Sequence, residues 1–356
     1  MQPVPLFIAG FGGVAQSLLR IICDNADAIA ARSGKRLFLA GLSNSRRFLM
    51  DGNGIPLSGG VEALAQRLES DGHSAADGAF FAQIPAQSPP NAVFVDCTAS
   101  AEVASRYADF FRAGYRVVAC NKIAFAAPLA QYQAMKAAAA ECAATLRYET
   151  TVCSALPVLE TLHRLVCTGD TVLRVEAVLS GTLSYLFNTY RGGTDGIRLA
   201  DVVREAREKG YTEPDPRLDL SGRDVLRKLL ILSREAGVML EEADIEASPL
   251  VPPACFAGTL DDFYRGLEAQ EPTFAAAWRA AADAGKVLKF LAVLEKTEAG
   301  YRATTGLHAI APSHPLGTGG SGAVIRSAIY RDPILIHGTG AGALNTASGV
   351  LNDILL

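Results

Sequence analysis

The sequence predicts an α/β protein, in which a doubly wound parallel sheet is followed by a second α+β domain with a mixed sheet. Short apolar runs alternate with helical patterns over residues 1–150, and a glycine-rich turn follows the first run directly. After Thr151 the pattern changes, and strands dominate from Lys286 to Ile336. Residues 1–150, completed by 338–356, are expected to form the first domain and 151–337 the second.

Pro5–Gly10 reads as a buried strand, and Val14–Cys23 as a helix with Val14, Leu18, Ile21 and Ile22 on one face. Arg36–Leu42, Ala92–Cys97 and Arg116–Cys120 are further apolar strands, and Leu146–Thr150 is a last one. Their near-continuous apolar character fits a parallel sheet covered on both faces. In the second domain a helix is expected near Leu156–Val166, a strand at Val172–Leu179, and helices at Leu199–Lys209 and Ser221–Ala236. The segment Gly338-Thr-Gly-Ala-Gly342 reads as a turn into a terminal helix that packs back on the first domain.

Composition excludes several classes of function. With 33 basic against 37 acidic residues and no basic block, nothing presents a field for a polyphosphate backbone, so nucleic acid is not an expected partner. No apolar run reaches the ~18 residues of a membrane span, and the amino terminus has no basic leader pattern. The seven cysteines are scattered, without a C-x-x-C pair, which fits a reducing cytoplasm.

Gly10-Phe11-Gly12-Gly13-Val14-Ala15 fits G-x-G-x-x-G/A between a strand and a helix, the context of a Rossmann-type dinucleotide site. The first glycine allows the tight turn, the second lets backbone approach a pyrophosphate, and the helix start offers free N–H groups. The second strand ends in Gly41-Leu-Ser-Asn-Ser-Arg46-Arg47, with no acid to hold a ribose hydroxyl. Two arginines there can meet a 2′-phosphate, which favours NADP over NAD, although two solvated arginines are an equally good account. Asp96-Cys-Thr98-Ala-Ser100 and Asn121-Lys122 lie where strands deliver ligands, and Lys122 is the sharper signal.

The densest chemistry lies between Gly210 and Lys228, in a proline-stiffened run holding Glu213, Asp215, Asp219 and Asp224. Asp224 and Lys228 are four apart and share a helix face beside the stripe Val225, Leu226, Leu229, Leu230 and Ser233. That spacing equally suits a surface ion pair, and Ser221-x-x-Asp224 also matches a capping box. Oxidising an alcohol with a nicotinamide needs a group that takes the hydroxyl proton, and a lysine flanked by carboxylates can serve.

With these residues in hand, the chain resembles the homoserine dehydrogenases over nearly its whole length. The motifs are G-F-G-G-V-A at Gly10, V-D-C-T-A-S at Val95, A-C-N-K at Ala119, Y-E-T-T-V at Tyr148, A-L-P-V-L-E at Ala155, L-S-G-T-L-S-Y at Leu179, and G-Y-T-E-P-D-P-R-L-D-L-S-G-R-D-V-L-R-K at Gly210. The resemblance implies interconversion of L-homoserine and L-aspartate 4-semialdehyde with NAD(P), in threonine and methionine biosynthesis. It implies Lys228 as general acid/base, Lys122 as a second active-site lysine, Glu213 and Asp224 as substrate carboxylates assisted by Asp219, and contacts from Gly181 and Thr182. Phe11, Gly13, Val14, Thr98, Lys122 and Gly342 fall on its cofactor positions. It also implies a structural Na+ or K+ held by Glu149 and the carbonyls of Val152, Ser154 and Leu156, and a homodimer paired through the second domain.

Two departures stand out. Val152-Cys-Ser-Ala-Leu-Pro157 replaces a common V-G-A-G-L-P, so two glycines are lost beside the implied cation, and Ile123 replaces a frequent second lysine. The chain leaves no room for a fused kinase or regulatory domain, so inhibition by threonine is not expected. Two rival readings remain: an acylating semialdehyde dehydrogenase with Cys153 as nucleophile at a helix start, and a nucleotide-binding protein whose catalysis has decayed.

Overall fold

The structure is a computed structural model that describes residues 1–356. In chain order the elements of its first part are β1 (Gln2–Ala9), α1 (Gly13–Ser33), β2 (Lys35–Ser43), β3 (Arg47–Met50), α2 (Gly60–Ser70), β4 (His73–Ser74), α3 (Ala79–Gln83), β5 (Val93–Asp96), α4 (Ala101–Ser105), α5 (Tyr107–Arg112), β6 (Arg116–Ala119), α6 (Leu129–Glu141) and β7 (Leu146–Arg147). There follow α7 (Val158–Cys167), β8 (Val172–Val178), α8 (Gly181–Thr189), α9 (Leu199–Glu208), α10 (Arg217–Leu220), α11 (Arg223–Glu235), β9 (Ile245–Ala247), α12 (Leu260–Ala269), α13 (Glu271–Asp283), β10 (Val287–Thr297), β11 (Gly300–Ile310), β12 (Ser321–Ser327), β13 (Ile334–Gly338) and α14 (Ala343–Leu355). Two units emerge, Met1–Ala155 with Gly342–Leu356, and Leu156–Ala341.

The first unit holds a seven-stranded sheet in the order β4-β3-β2-β1-β5-β6-β7. Strands β2, β1, β5, β6 and β7 run parallel, whereas β3 and β4 join antiparallel at one edge, a hairpin extension that the strand-helix alternation did not signal. Chain order reverses on either side of β1, so the carboxyl ends of β1 and β5 form the switch point where such sheets take ligands. Ile8, Leu18, Leu19, Ile22, Val95, Val350 and Ile354 share one apolar core there. Helix α1 runs ten residues beyond the expected Cys23, through a distortion at Asn25, because apolar spacing weakens there while helix formers continue.

Helix α14 belongs to this unit, as its apolar face requires: Ala347, Val350 and Ile354 are buried. Arg116 donates to the carbonyl of Ile354 at 3.2 Å and Lys35 to that of Leu355, so two cations meet the unpaired carbonyls of the last turn. Where α14 crosses the end of the sheet its backbone comes very close. A Cβ on Gly349 would lie 2.5 Å from Thr150 Cγ2 and 3.0 Å from the Cα of Ala155. Alanine gains about 1 kcal/mol over glycine in a helix, but overpacking of this kind costs about 1–3 kcal/mol, and here backbone is among the atoms that must move. Gly349→Ala is therefore expected to lower the melting temperature, read by calorimetry; an unchanged or higher value contradicts the close packing.

In the second unit a six-stranded mixed sheet runs β13-β12-β8-β10-β11-β9. Helices α8, α11 and α13 pack on β10, and Val178, Leu291, Val293 and Val324 form a small core with Leu316 from the loop after β11. Helices α8, α12 and α13 were not expected from the sequence. The predicted last strand Leu146–Thr150 is only Leu146–Arg147, followed by a 3-10 turn at Glu149–Thr151, and α7 starts at Val158 after Pro157. The helix expected at Ser221 begins at Arg223, capped by Gly222 in the left-handed region (φ 72°) with no side-chain cap, so the Ser221-x-x-Asp224 box does not form. The Ser221 hydroxyl instead donates to the Leu218 carbonyl at 2.7 Å.

Candidate active site

The glycine turn joins β1 to α1. Gly10 has φ 90°, and a Cβ there would meet the Cys97 carbonyl oxygen at 2.7 Å and Thr98 Cγ2 at 2.9 Å, so only glycine fits between the ends of β1 and β5. Gly12 is different in kind: its added Cβ would meet no protein atom within 4 Å. The helix that starts after it carries no side-chain cap, leaving its first N–H groups directed outward. Phe11 and Val14 are half-buried, Gly13 is exposed, and Gly342 opens α14 with Ala343 beside Gly13. These features fit a pyrophosphate resting on backbone.

Beside the turn a buried carboxylate organises two loops. Asp96, fully buried, accepts at one oxygen from Thr98 N (2.8 Å) and Thr98 Oγ1 (2.7 Å), and at the other from Tyr107 OH (2.7 Å) and Asn121 Nδ2 (3.0 Å). Burial pushes its pKa up, and those donors pull against the shift. Asn121 Nδ2 also reaches the Ser100 carbonyl at 2.9 Å, while its Oδ1 accepts from Ile123 N at 3.0 Å. Thr98 and the loop bearing Lys122 are thus set by one side chain. Lys122 follows β6, is half-buried, and its carbonyl accepts from Phe125 N and Ala126 N. Tyr107 was missed by the sequence reading, since nothing in A-S-R-Y-A-D marks a tyrosine turned toward a carboxylate.

The arginines after β2 have partners of their own. Arg46 and Arg47 reach Glu69 at 3.5 and 3.7 Å, and Asn44 Oδ1 accepts from both of their backbone N–H groups. With Glu69 and Ser74 they line a recess of about 340 Å³.

In the second unit the lysine and carboxylates fall into two hydrogen-bonded groups, one reaching Leu179 just before α8 and the other reaching Thr182 in its first turn. Lys228 Nζ sits 2.7 Å from Asp224 Oδ2 and donates at 2.7 Å to the carbonyl of Leu179, just past β8. Its side chain is only 14% exposed against 49% for Asp224, so the amine is drawn inward while the carboxylate stays accessible. An ammonium has three donors; two are used here and one remains. The Ser180 hydroxyl caps α8 by accepting from Leu183 N, which places Gly181 and Thr182 at the helix start. Thr182 Oγ1 contacts the Tyr211 carbonyl (2.7 Å) and Asp219 Oδ1 (2.9 Å), and Asp219 Oδ2 accepts from Glu213 N (2.9 Å). Asp219 therefore staples the loop that presents the exposed Glu213. Asp215 is spent on Arg217, whose guanidinium holds its carboxyl below the usual range. A Ser-x-x pattern before an apolar run was the missed signal for α8.

The segment Glu149–Leu156 keeps an unusual backbone. Cys153 and Ser154 have φ 57° and 58°, left-handed values that favour glycine, so Cys153, in place of the first lost glycine, keeps a glycine-like path, whereas Ala155, in place of the second, has no positive φ. Glu149 N donates to Asp353 Oδ2 (3.1 Å), the Ser154 and Thr346 hydroxyls meet at 3.0 Å, and Thr150 Oγ1 is buried without a partner. The Leu156 carbonyl already accepts from Val158 N at 2.8 Å. No group of three or more His, Cys, Asp or Glu side chains gathers as a metal site. Cys153 is 1% exposed and lies five residues before α7, so the helix-start environment expected for a nucleophile is absent.

Residues 10–149 match the family model described as homoserine dehydrogenase, NAD binding domain, and residues 157–355 match the model described as homoserine dehydrogenase. The chain belongs to the homoserine dehydrogenase family. A homoserine dehydrogenase of Schizosaccharomyces pombe is 38% identical over 76% of this chain and 73% of its own length. A chloroplastic bifunctional aspartokinase/homoserine dehydrogenase 1 of Zea mays is 37% identical over 98% of this chain, which spans 38% of that protein. This chain thus covers about two fifths of the length of such bifunctional homoserine dehydrogenases. Among solved structures, a protein of unknown function from Candida auris superposes with a TM-score of 0.85 at 27% identity, covering 99% of this chain and 97% of its own.

Proposed function

We propose that this chain interconverts L-homoserine and L-aspartate 4-semialdehyde by hydride exchange with NAD(P). The observation that carries the reading is the inward-drawn amine of Lys228, oriented by Asp224 and the Leu179 carbonyl with one donor direction left open. The nicotinamide, when bound, supplies the hydride acceptor or donor. Lys228 takes the hydroxyl proton as the alcohol is oxidised and returns it in reduction. Glu213 and Asp224 neutralise the substrate ammonium, Asp219 and Thr182 hold the loop, Gly181 adds backbone contact, and Lys122 serves as a second cation toward substrate and cofactor. Gly10, Phe11, Gly12, Gly13, Val14, Thr98 and Gly342 frame the dinucleotide.

The family assignment supports this reading, as does the burial of Cys153, which leaves the acyl-transfer alternative without an accessible nucleophile. The test is the change in nicotinamide absorbance on adding homoserine and, separately, the semialdehyde. Turnover of both is expected; activity only with phosphate and an acylating substrate overturns the reading.

For the nucleotide, NADP is favoured, with Arg46 and Arg47 released from Glu69 to hold the 2′-phosphate. Arg46→Ala is expected to raise KM for NADPH about tenfold, the equivalent of about 1.4 kcal/mol, and to leave KM for NADH unchanged; equal effects on both contradict the assignment. A monovalent Na+ or K+ is assigned to Glu149 with the carbonyls of Val152 and Ser154, where the orphaned Thr150 hydroxyl offers a further oxygen. The Leu156 carbonyl is the weaker candidate, being already bonded. A homodimer through the second unit completes the proposal.

A further inference from the structure

Cys97 and Cys120 stand one residue beyond the last paired positions of β5 and β6, where Asp96 lies opposite Ala119. The ladder continues through them, since Cys120 N donates to the Asp96 carbonyl at 3.0 Å and Cys97 N to that of Ala9 at 2.8 Å. In-register neighbours on parallel strands sit about 4.8 Å apart, inside the roughly 4.4–6.8 Å that a disulfide spans between Cα atoms. Paired positions share a face of the sheet, so both thiols leave it on the same side. Both residues are free cysteines of intermediate exposure whose side chains pack against the apolar core of the first unit, and the Cys120 thiol donates to the Asp96 carbonyl at 3.4 Å.

The two thiols influence each other. That mutual effect is the main reason the Cys120 thiol lies below its ordinary range, with Lys122 assisting and burial and Asp96 opposing; Cys97, the other member of the pair, is pushed up. The lower thiol is the nucleophile of such a pair and the higher one the resolving group.

We propose that Cys97 and Cys120 form a redox modification site, closed reversibly into a disulfide by hydrogen peroxide. The Cys120 thiolate attacks the peroxide, the O–O bond breaks, and with one proton taken up a water leaves, giving the sulfenic acid. The Cys97 sulfur then attacks that sulfur, forming the S–S bond and releasing a second water. Two thiols are oxidised, one peroxide is reduced to two waters, and an external thiol reverses the step. The bridge ties together the two loops that carry Thr98 and Lys122. The inference does not depend on the dehydrogenase reading.

The test uses the full chain with the exposed Cys142 and Cys167 replaced by serine, which leaves five of the seven cysteines. After brief hydrogen peroxide, alkylation under denaturing conditions and peptide mass mapping, a Cys97–Cys120 linked pair is expected, with three alkylated thiols remaining and all five restored by dithiothreitol. In Cys97→Ser the sulfenic acid persists on Cys120 and is trapped by dimedone, whereas Cys120→Ser gives neither link nor adduct. Peroxide that leaves both thiols unreacted overturns the proposal, as does oxidation of Cys120 to sulfinic acid with Cys97 present and no link, or trapping on Cys97 rather than Cys120.

Discussion

Lys228→Ala is expected to lower kcat for homoserine oxidation by about 10²- to 10⁴-fold, the usual contribution of a positioned proton carrier, while the protein remains folded. The stability cost is small, because the Asp224 carboxylate left behind is half exposed and water can replace the amine. Lys228→Arg separates charge from proton transfer. A guanidinium preserves the ion pair with Asp224, but it does not give up its proton, so kcat stays low while the homoserine KM moves little. Wild-type kcat in either variant removes Lys228 from its role, and a collapse of the melting temperature in both shows that the amine serves packing instead.

The second large effect separates two glycines of the same turn. Gly10→Ala forces a side chain into a backbone at φ 90° and within 2.7 Å of the Cys97 carbonyl, so both stability and nucleotide binding should suffer. Gly12→Ala meets no protein atom within 4 Å. Its methyl occupies only the space proposed for the pyrophosphate, so the nucleotide KM should rise about tenfold or more, on the order of 1.4 kcal/mol, at an unchanged melting temperature. Thermal melts paired with nucleotide titration decide the matter; a Gly12→Ala protein that binds nucleotide normally places the phosphates elsewhere.

Features of the chain that follow from local pattern were legible in the sequence. The glycine turn after an apolar strand, the strands expected over Ala92–Cys97 and Arg116–Cys120, and the apolar stripe of α11 are all periodic or motif-based, and the structure has them, with the two strands ending one residue earlier at Asp96 and Ala119. Tertiary partners were not legible. That Asp96 gathers Thr98, Tyr107 and Asn121 depends on three elements meeting, and the stapling of Glu213 through Asp219 and Thr182 joins positions 37 residues apart. Ser221 matched a capping box, but Gly222 in a left-handed conformation took the cap, because the chain turns sharply out of α10 there. Cys153 and Ser154 taught the opposite lesson: non-glycine residues follow a left-handed path where surrounding structure enforces it.

Transfer of isotope tests the central claim most directly. With homoserine deuterated at its hydroxyl-bearing carbon and oxidised nucleotide, the account predicts that deuterium appears on the nicotinamide ring of the product, at a rate that falls in parallel with kcat in Lys228→Ala. Reduced nucleotide formed without label, or label transfer as fast in Lys228→Ala as in wild type, would contradict it.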